Sequence, residues 1–341
     1  MMFEKESQNQ SLPHNAIDAV VAWVDGSDPA HMGKRHARET AMGRAAGTGT
    51  SIIAGTDETR FADNNEIVYC LTSIRRFAPW IRNIFLVTDE QVPEFLTPDK
   101  QTELAVTIVD HKEIFRDLEW ALPTFNSLSI ETVLWRIPGL ADRFIYFNDD
   151  FFLLADTVPE DFFVGDMPVL RGTLKPKKTY GWLRWSISRT INLVAKKLLN
   201  VNRSMSVLQQ MRGAQLANNE KHFFKIGHAP YPLRREVFEN YYNAHYDKCE
   251  ANIQYPFRDA MQYAPTSLAN HIEIQNSNAQ LIPDDSVMIC YNRDSRKQIQ
   301  GKIDLIKRRA TRFFCVQSLE QADAEDHTLL VKLLDKLIIE R

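Results

Sequence analysis

Two adjacent carboxylates, Asp149 and Asp150, interrupt an otherwise apolar run, Phe-Ile-Tyr-Phe-Asn-Asp-Asp-Phe-Phe-Leu at 144–153. Ionised aspartate is rare inside such a stretch unless it is paired or holds a metal. Successive strand residues point to opposite faces, so only one of the two can face a given pocket from within a strand. The other must cap, hydrogen-bond or reach from the strand end, and Asn148 adds a neutral donor and acceptor beside them. The arrangement suits a strand end in an α/β sheet that presents a divalent cation to a diphosphate. An Asn-Asp-Asp turn joining two strands of a hairpin is the alternative.

A chain of 341 residues suits one large domain or two, at roughly 100–200 residues each. With 41 basic against 44 acidic residues, nothing in the total charge points to a general nucleic-acid binder. The four cysteines, Cys70, Cys249, Cys290 and Cys315, form no C-x-x-C pair, which argues against a zinc ribbon or disulfide framework and fits a reducing compartment. Met1–Ala16 is polar and reads as a disordered tail without a signal-peptide core. No run approaches the roughly 18 apolar residues that span a bilayer, so the chain reads as soluble and cytoplasmic.

Apolar stretches at 17–24, 83–88, 105–109 and 144–147 read as strands, and 64–77 and 126–137 as helices. Strands alternating with helices predict a mostly parallel sheet with crossover helices. The strands stop at Asp25, Asp89, Asp110 and Asp149, and ligands in such sheets bind outside the carboxyl ends of the strands. The Gly-, Ala- and Thr-rich stretch 43–58 reads as a loop. Beyond residue 175 the pattern turns helical and irregular, through 182–200, 206–218, 234–242 and 258–275, before strands at 287–291 and 313–316 and a helix at 327–339. The expected division is an α/β core at 17–175, a mainly helical subdomain at 176–285 and a C-terminal return to the core at 286–341.

Asp25-Gly26-Ser27-Asp28 is a turn by composition. Its place between an apolar strand and a helix start at Pro29 also suits a backbone cradle for phosphate or nucleoside. Arg60 can clamp a phosphate, while Asp63 and Glu66, with Asn65, read equally as a solvated helix cap. His228, in Lys-Ile-Gly-His-Ala-Pro-Tyr-Pro, is structural or a general base held in a stretch too proline-rich for regular structure. Phe257-Arg258-Asp259 reads as a helix opening after Pro256; Arg258 pairs locally or offsets charge on a transferring phosphoryl group. Trp182, Trp185, Ile187, Ile191, Val194 and Leu198 alternate with basic residues, as in a core-packed helix or an interfacial one. The basic stretch 293–312 reads as a solvated helix face or an attractor of an anionic glycan.

Together these segments resemble the Stealth family, hexose-1-phosphoryl transferases of microbial capsules related to the animal N-acetylglucosamine-1-phosphotransferase. The first block is Ile17–Asp28. The second runs through Arg60–Glu66, Ala78–Asp89 and Leu122–Ser127 to Asn148-Asp149-Asp150. The third is His228-Ala229-Pro230 with Phe257-Arg258, and the fourth is Arg312–Ser318. Two departures stand out: Gln317-Ser318 replaces the family's usual Asn-Asp after the cysteine, and Thr72-Ser73 replaces its usual Arg-Ser.

The resemblance implies a glycosyltransferase-A-like, Rossmann-like α/β fold. It implies attack by an acceptor sugar hydroxyl on the β-phosphorus of a nucleotide-sugar, such as a UDP-sugar, with Mg²⁺ or Mn²⁺ on Asp149 and Asp150. His228 or Asp150 would be the base, and Arg258 and Arg60 would offset phosphoryl charge. Asp25 to Asp28, Asp63, Glu66, Asn126 and Asn148 would line the donor pocket. The expected partners are the donor and a glycan or lipid-linked glycan acceptor, with membrane contact by 182–200 and homo-oligomerisation left open. The rivals are a metal-dependent glycosyltransferase and a non-catalytic glycan- or nucleotide-binding protein.

Overall fold

The computed structural model describes residues 15–43, 65–177 and 205–340. The readings made on Arg60, Asp63, the loop at 44–58 and the amphipathic stretch 182–200 lie outside the described residues. In chain order the first strands are β1 (Ile17–Ala22), β2 (Ile84–Thr88), β3 (Val106–Asp110), β4 (Arg143–Asn148), β5 (Phe151–Leu153), β6 (Phe163–Val164) and β7 (Met167–Pro176). The rest are β8 (His222–Ile226), β9 (Tyr231–Arg234), β10 (Gln280–Ile282), β11 (Val287–Cys290) and β12 (Phe313–Gln317).

The main sheet has the order β3-β2-β1-β4-β9. Its first four strands are mutually parallel and β9 runs antiparallel beside β4. The crossover helices are Glu66–Phe77, Pro98–Leu104 and Ser127–Val133. The expected mostly parallel α/β sheet is therefore present. Both its faces are buried, which explains why its strands read as continuous apolar runs. Ala19, Val21, Ile145 and Phe147 face one core layer, whereas Val20, Phe144 and Tyr146 face the other. Truncating a fully buried ring such as Phe147 would cost about 3–5 kcal/mol.

One strand polar group tests the rule that buried charge must be satisfied. Asp18 is fully buried in β1, and its carboxylate accepts from Arg82 Nε at 2.8 Å and from the Ala141 amide at 2.8 Å. It ties β1 to the turn entering β4.

The hairpin alternative for 144–153 fails. β4 pairs with β1 and β9, whereas β5 pairs with β12 in a separate three-stranded sheet, β11-β12-β5. Asp149 and Asp150 occupy the link where the chain leaves one sheet for the other.

Two local readings need correction. Residues 258–264 are not helical; the helix starts at Pro265 and runs to Gln275, because proline suits its first turn and side-chain amides hold the preceding loop. The proline-rich stretch around His228 is also more regular than expected, since Ile226 ends β8 and Tyr231 opens β9. Pro232 is tolerated because β9 is an edge strand, where a missing amide donor costs little.

Candidate active site

Because β1 to β4 are parallel, their carboxyl ends lie along one edge. Ala22 pairs with Asn148, so the 23–28 loop and the Asp149-Asp150 link emerge side by side. Strand order reverses between β1 and β4, which opens a crevice at that point.

The first wall of the crevice is the 25–28 turn. Asp25 Oδ1 accepts from the Ser27 amide at 2.8 Å and its hydroxyl at 2.6 Å. Gln91 clasps the Asp25 backbone from both sides, accepting from its amide at 2.9 Å and donating to its carbonyl at 2.9 Å. Asp28 caps the helix Pro29–Ala41 by accepting from the His31 amide at 2.8 Å. Gly26 is buried and Ser27 exposed. The neighbouring strand-end acids have local structural roles: Asp89 pairs with Lys34 at 3.1 Å, and Asp110 caps the helix His111–Ile114.

The second wall is the aspartate link. Asp150 Oδ2 accepts from the Cys315 thiol at 3.5 Å, while its buried Oδ1 has no hydrogen-bond partner. Desolvation pushes its carboxyl up to about 7, with the Cys315 and Gln317 side chains opposing and Glu66 reinforcing the shift. Glu66 is therefore close to this wall, at the first turn of its helix. Asn148 offers its carbonyl to the Cys70 thiol at 3.6 Å. Gln317, one of the departures from the family pattern, acts directly on Asp150. Ser73, the serine that follows the altered position Thr72, is buried and accepts from the Leu153 amide at 3.1 Å, fastening the helix Glu66–Phe77 to β5.

The third wall comes from further along the chain. His31 packs edge-on against Phe125 at 5.1 Å, and Phe125 stacks on Phe257 at 5.4 Å. The Phe125 amide donates to the Pro256 carbonyl at 2.8 Å. Arg258, next in the chain, donates to the Ser127 hydroxyl. Burial lowers the Arg258 guanidinium, and Glu131 and Tyr146 offset this. Glu131 itself is pushed up to about 7 by desolvation, with Arg258 opposing. Tyr146 is raised chiefly by burial, then by Glu131, Tyr231 and Asp149, so it sits between the aspartate link and the Arg258–Glu131 pair.

His228 lies on a fourth side. Burial lowers its pKa below the usual value, with Asp284 opposing and Arg293 and Lys225 reinforcing. A Cβ at Gly227 would meet the Asp284 carboxylate, so that exposed side chain would have to move to admit one. Tyr231, whose hydroxyl donates to the Gly227 carbonyl at 3.2 Å, is acted on by both Asp150 and Asp284. It links the His228 side to the aspartate wall.

Asn126 is a correction. It is buried, its amide donates to the Tyr255 carbonyl and to Gln262 Oε1 at 2.8 Å each, and its oxygen accepts from Leu128. With donors and acceptor all engaged, it shapes the Arg258 loop and is not available to a sugar. Glu131, Tyr146, Tyr231, Cys315 and Gln317 escaped the sequence reading as site residues. Glu131 had one local signal, its position four residues after Ser127 on the same helix face.

A hard cation fits this edge. Mg²⁺ characteristically takes one or two protein carboxylates and completes its shell with phosphate oxygens and water. The orphaned Asp150 oxygen is an acceptor in want of such a partner, although no group of three or more metal-ligating side chains is assembled among the described residues.

Family models of Stealth protein conserved region 1 and conserved region 2 match residues 15–43 and 60–169. An exopolysaccharide phosphotransferase of Lactiplantibacillus plantarum, cps2G, is 30% identical over 269 residues, which is 71% of this chain and 71% of that protein. The chain belongs to the Stealth family. A second relative, a capsular polysaccharide phosphotransferase of Actinobacillus suis, is 42% identical over 160 residues, 47% of this chain and 41% of that protein. The chain spans less than half the length of the first curated relatives it matches. The solved galactosyltransferase LgtC is similar at 10% identity over 94% of this chain and 96% of that one, with a TM-score of 0.42, a likeness too loose to carry mechanism. Among the described residues no helix is long and apolar enough to cross a membrane.

Proposed function

We propose that this Stealth protein is a sugar-1-phosphate transferase of capsular or exopolysaccharide synthesis. It moves a hexose-1-phosphate from a nucleotide-sugar to a hydroxyl of a glycan acceptor. The observation that carries the reading is the meeting, at one sheet edge, of the Asp149-Asp150 link, the 25–28 turn and the Arg258 loop. Relatives named for phosphoryl transfer to polysaccharides support it.

In the reaction the acceptor oxygen forms a bond to the β-phosphorus. The bond from that phosphorus to the oxygen bridging the two phosphoryl groups breaks, and a nucleoside monophosphate leaves with the electron pair. The hydroxyl proton passes to His228 Nδ1 or Nε2, for which a neutral imidazole is suited. Such chemistry depends on positioning and charge neutralisation more than on covalent help. Arg258 supplies a planar cation held by Ser127, and the 25–28 turn orients the donor. A divalent ion on Asp149 and Asp150, when bound, would neutralise diphosphate charge. Arg60 and Asp63 would complete the donor side. Four free thiols support action in a reducing compartment such as the cytoplasm.

The rival, a glycosyltransferase attacking the anomeric carbon, differs in its leaving group. Incubation of the chain with UDP- and GDP-sugars, a glycan acceptor and Mg²⁺ or Mn²⁺ separates them. Release of a nucleoside monophosphate that stops on chelation is the expected result, and release of a diphosphate refutes phosphoryl transfer. Binding of donor without turnover in either metal would point to a non-catalytic protein.

A further inference from the structure

At the opposite end of the sheet lies a groove of about 730 Å³ between the helices Arg235–Ala244 and Pro265–Gln275 and the segment at 216–218. Arg234 on its floor pairs in register with Arg143 at the start of β4. The groove is thus a strand length, roughly 17 Å at 3.3 Å per residue, from the Asp149 end and is no part of the candidate active site.

Its chemistry excludes one ligand class and favours another. Arg234 is already committed to carboxylates, Asp142 at 3.2 Å, Glu236 at 2.7 Å and Glu273 at 3.6 Å. The other charged lining group, Asp166, is acidic, so a diphosphate or other polyanion meets no uncommitted lysine or arginine among the described lining residues. What remains is amide, carboxylate and aromatic surface interleaved with aliphatic side chains such as Leu216, Val237 and Ile272. The rings of Tyr241 and His245 lie 4.7 Å apart. Asn240 is exposed beside them and donates to Glu236 at 3.3 Å. Glu273, only 4% exposed, turns one carboxylate oxygen to the Arg234 guanidinium at 3.6 Å and accepts from Asn278 at 2.7 Å with the other. Hydroxyls both donate and accept, and the C–H faces of a pyranose ring cover an aromatic side chain.

We propose that this groove is a second ligand site, for a short stretch of neutral oligosaccharide. Its volume lies within the range of small-ligand sites, ≈ 300–1,000 Å³.

Saturation-transfer NMR on the whole chain tests this with linear oligosaccharides of glucose, galactose, mannose and N-acetylglucosamine, and with an oligogalacturonate as anionic control. At least one neutral probe should bind at millimolar concentration, and the anionic one should not. Asn240→Ala and Tyr241→Ala should each weaken binding about three- to tenfold. No binding of any neutral probe overturns the assignment, as does equal binding of the anion. So does unchanged binding by both variants when their unfolding midpoints match the parent's. Turnover of a nucleotide-sugar is not read, so this outcome is independent of the transferase proposal.

Discussion

Arg258 reaches across 131 positions of chain to donate to the Ser127 hydroxyl. The contact joins a loop from the second half of the molecule to the first turn of a crossover helix in the first half. A network of buried amides stiffens it. Asn252 donates to Thr132 Oγ1 at 2.8 Å, and Gln262 donates to the Asn252 carbonyl at 2.7 Å. The guanidinium is therefore held in a fixed position by the fold itself, as the proposed role in offsetting phosphoryl charge requires.

Arg258→Lys retains a point charge but loses the planar fork. It should lower kcat/KM for nucleoside monophosphate release by about 10²–10³-fold. Ser127→Ala removes only the tether and should cost about tenfold. If both variants turn over like the parent, Arg258 does not meet the transferring group.

The pH dependence of stability should carry a signature of Glu131, whose carboxyl is held at about 7 against an ordinary 4.5. Between those values the folded state binds more protons than the unfolded one, so stability falls as pH rises through that window. Glu131→Gln should flatten this decline when unfolding midpoints are compared from pH 4 to 8. An unchanged slope would mean the group titrates normally.

His228→Ala should reduce turnover about 10²–10⁴-fold if the imidazole is the base. Because burial lowers its pKa, the neutral form persists below the usual value of about 6.5. The acid limb of the parent's kcat/KM profile should then lie below that pH and vanish in the variant. A parent limb that survives the substitution assigns it to another group, Asp150 first.

Gly227→Ala should damage activity without touching the imidazole itself, because its new methyl meets the Asp284 carboxylate. Adding Asp284→Ala removes the obstacle, so the double variant should recover activity relative to Gly227→Ala alone. Additive losses in this double-mutant cycle would show that the collision is not the cause.

Much of this was written locally. The strands that end at Ala22, Thr88, Asp110 and Asn148 announced themselves as apolar runs punctuated by acids, because a sheet covered on both faces needs nothing else. Asp28 before Pro29 marked a helix start through capping chemistry. Less legible was what depends on distant partners. Residues 231–234 look like coil until β4 offers an edge on which Pro232 loses little. The 258–264 stretch reads as helix until Asn252 and Gln262 engage its backbone, donating at 3.2 Å to the Tyr263 carbonyl and accepting at 2.9 Å from the Asp259 amide. Asn126 looked like a sugar ligand because its saturation by Tyr255 and Gln262 is a tertiary fact. Acidity at Asp89 and Asp110 overstated the site for a related reason, since each is spent locally on a lysine or a cap.

The placement of β9 has a consequence for dissecting the molecule. The regions matched by the family models, 15–43 and 60–169, contain β4 but not the strand that covers its outer side. A fragment cut to those bounds would display a naked row of amides and carbonyls along a nearly all-apolar strand, a template for self-association. The later half of the chain thus acts as a built-in chaperone for the earlier half, whatever it contributes to chemistry.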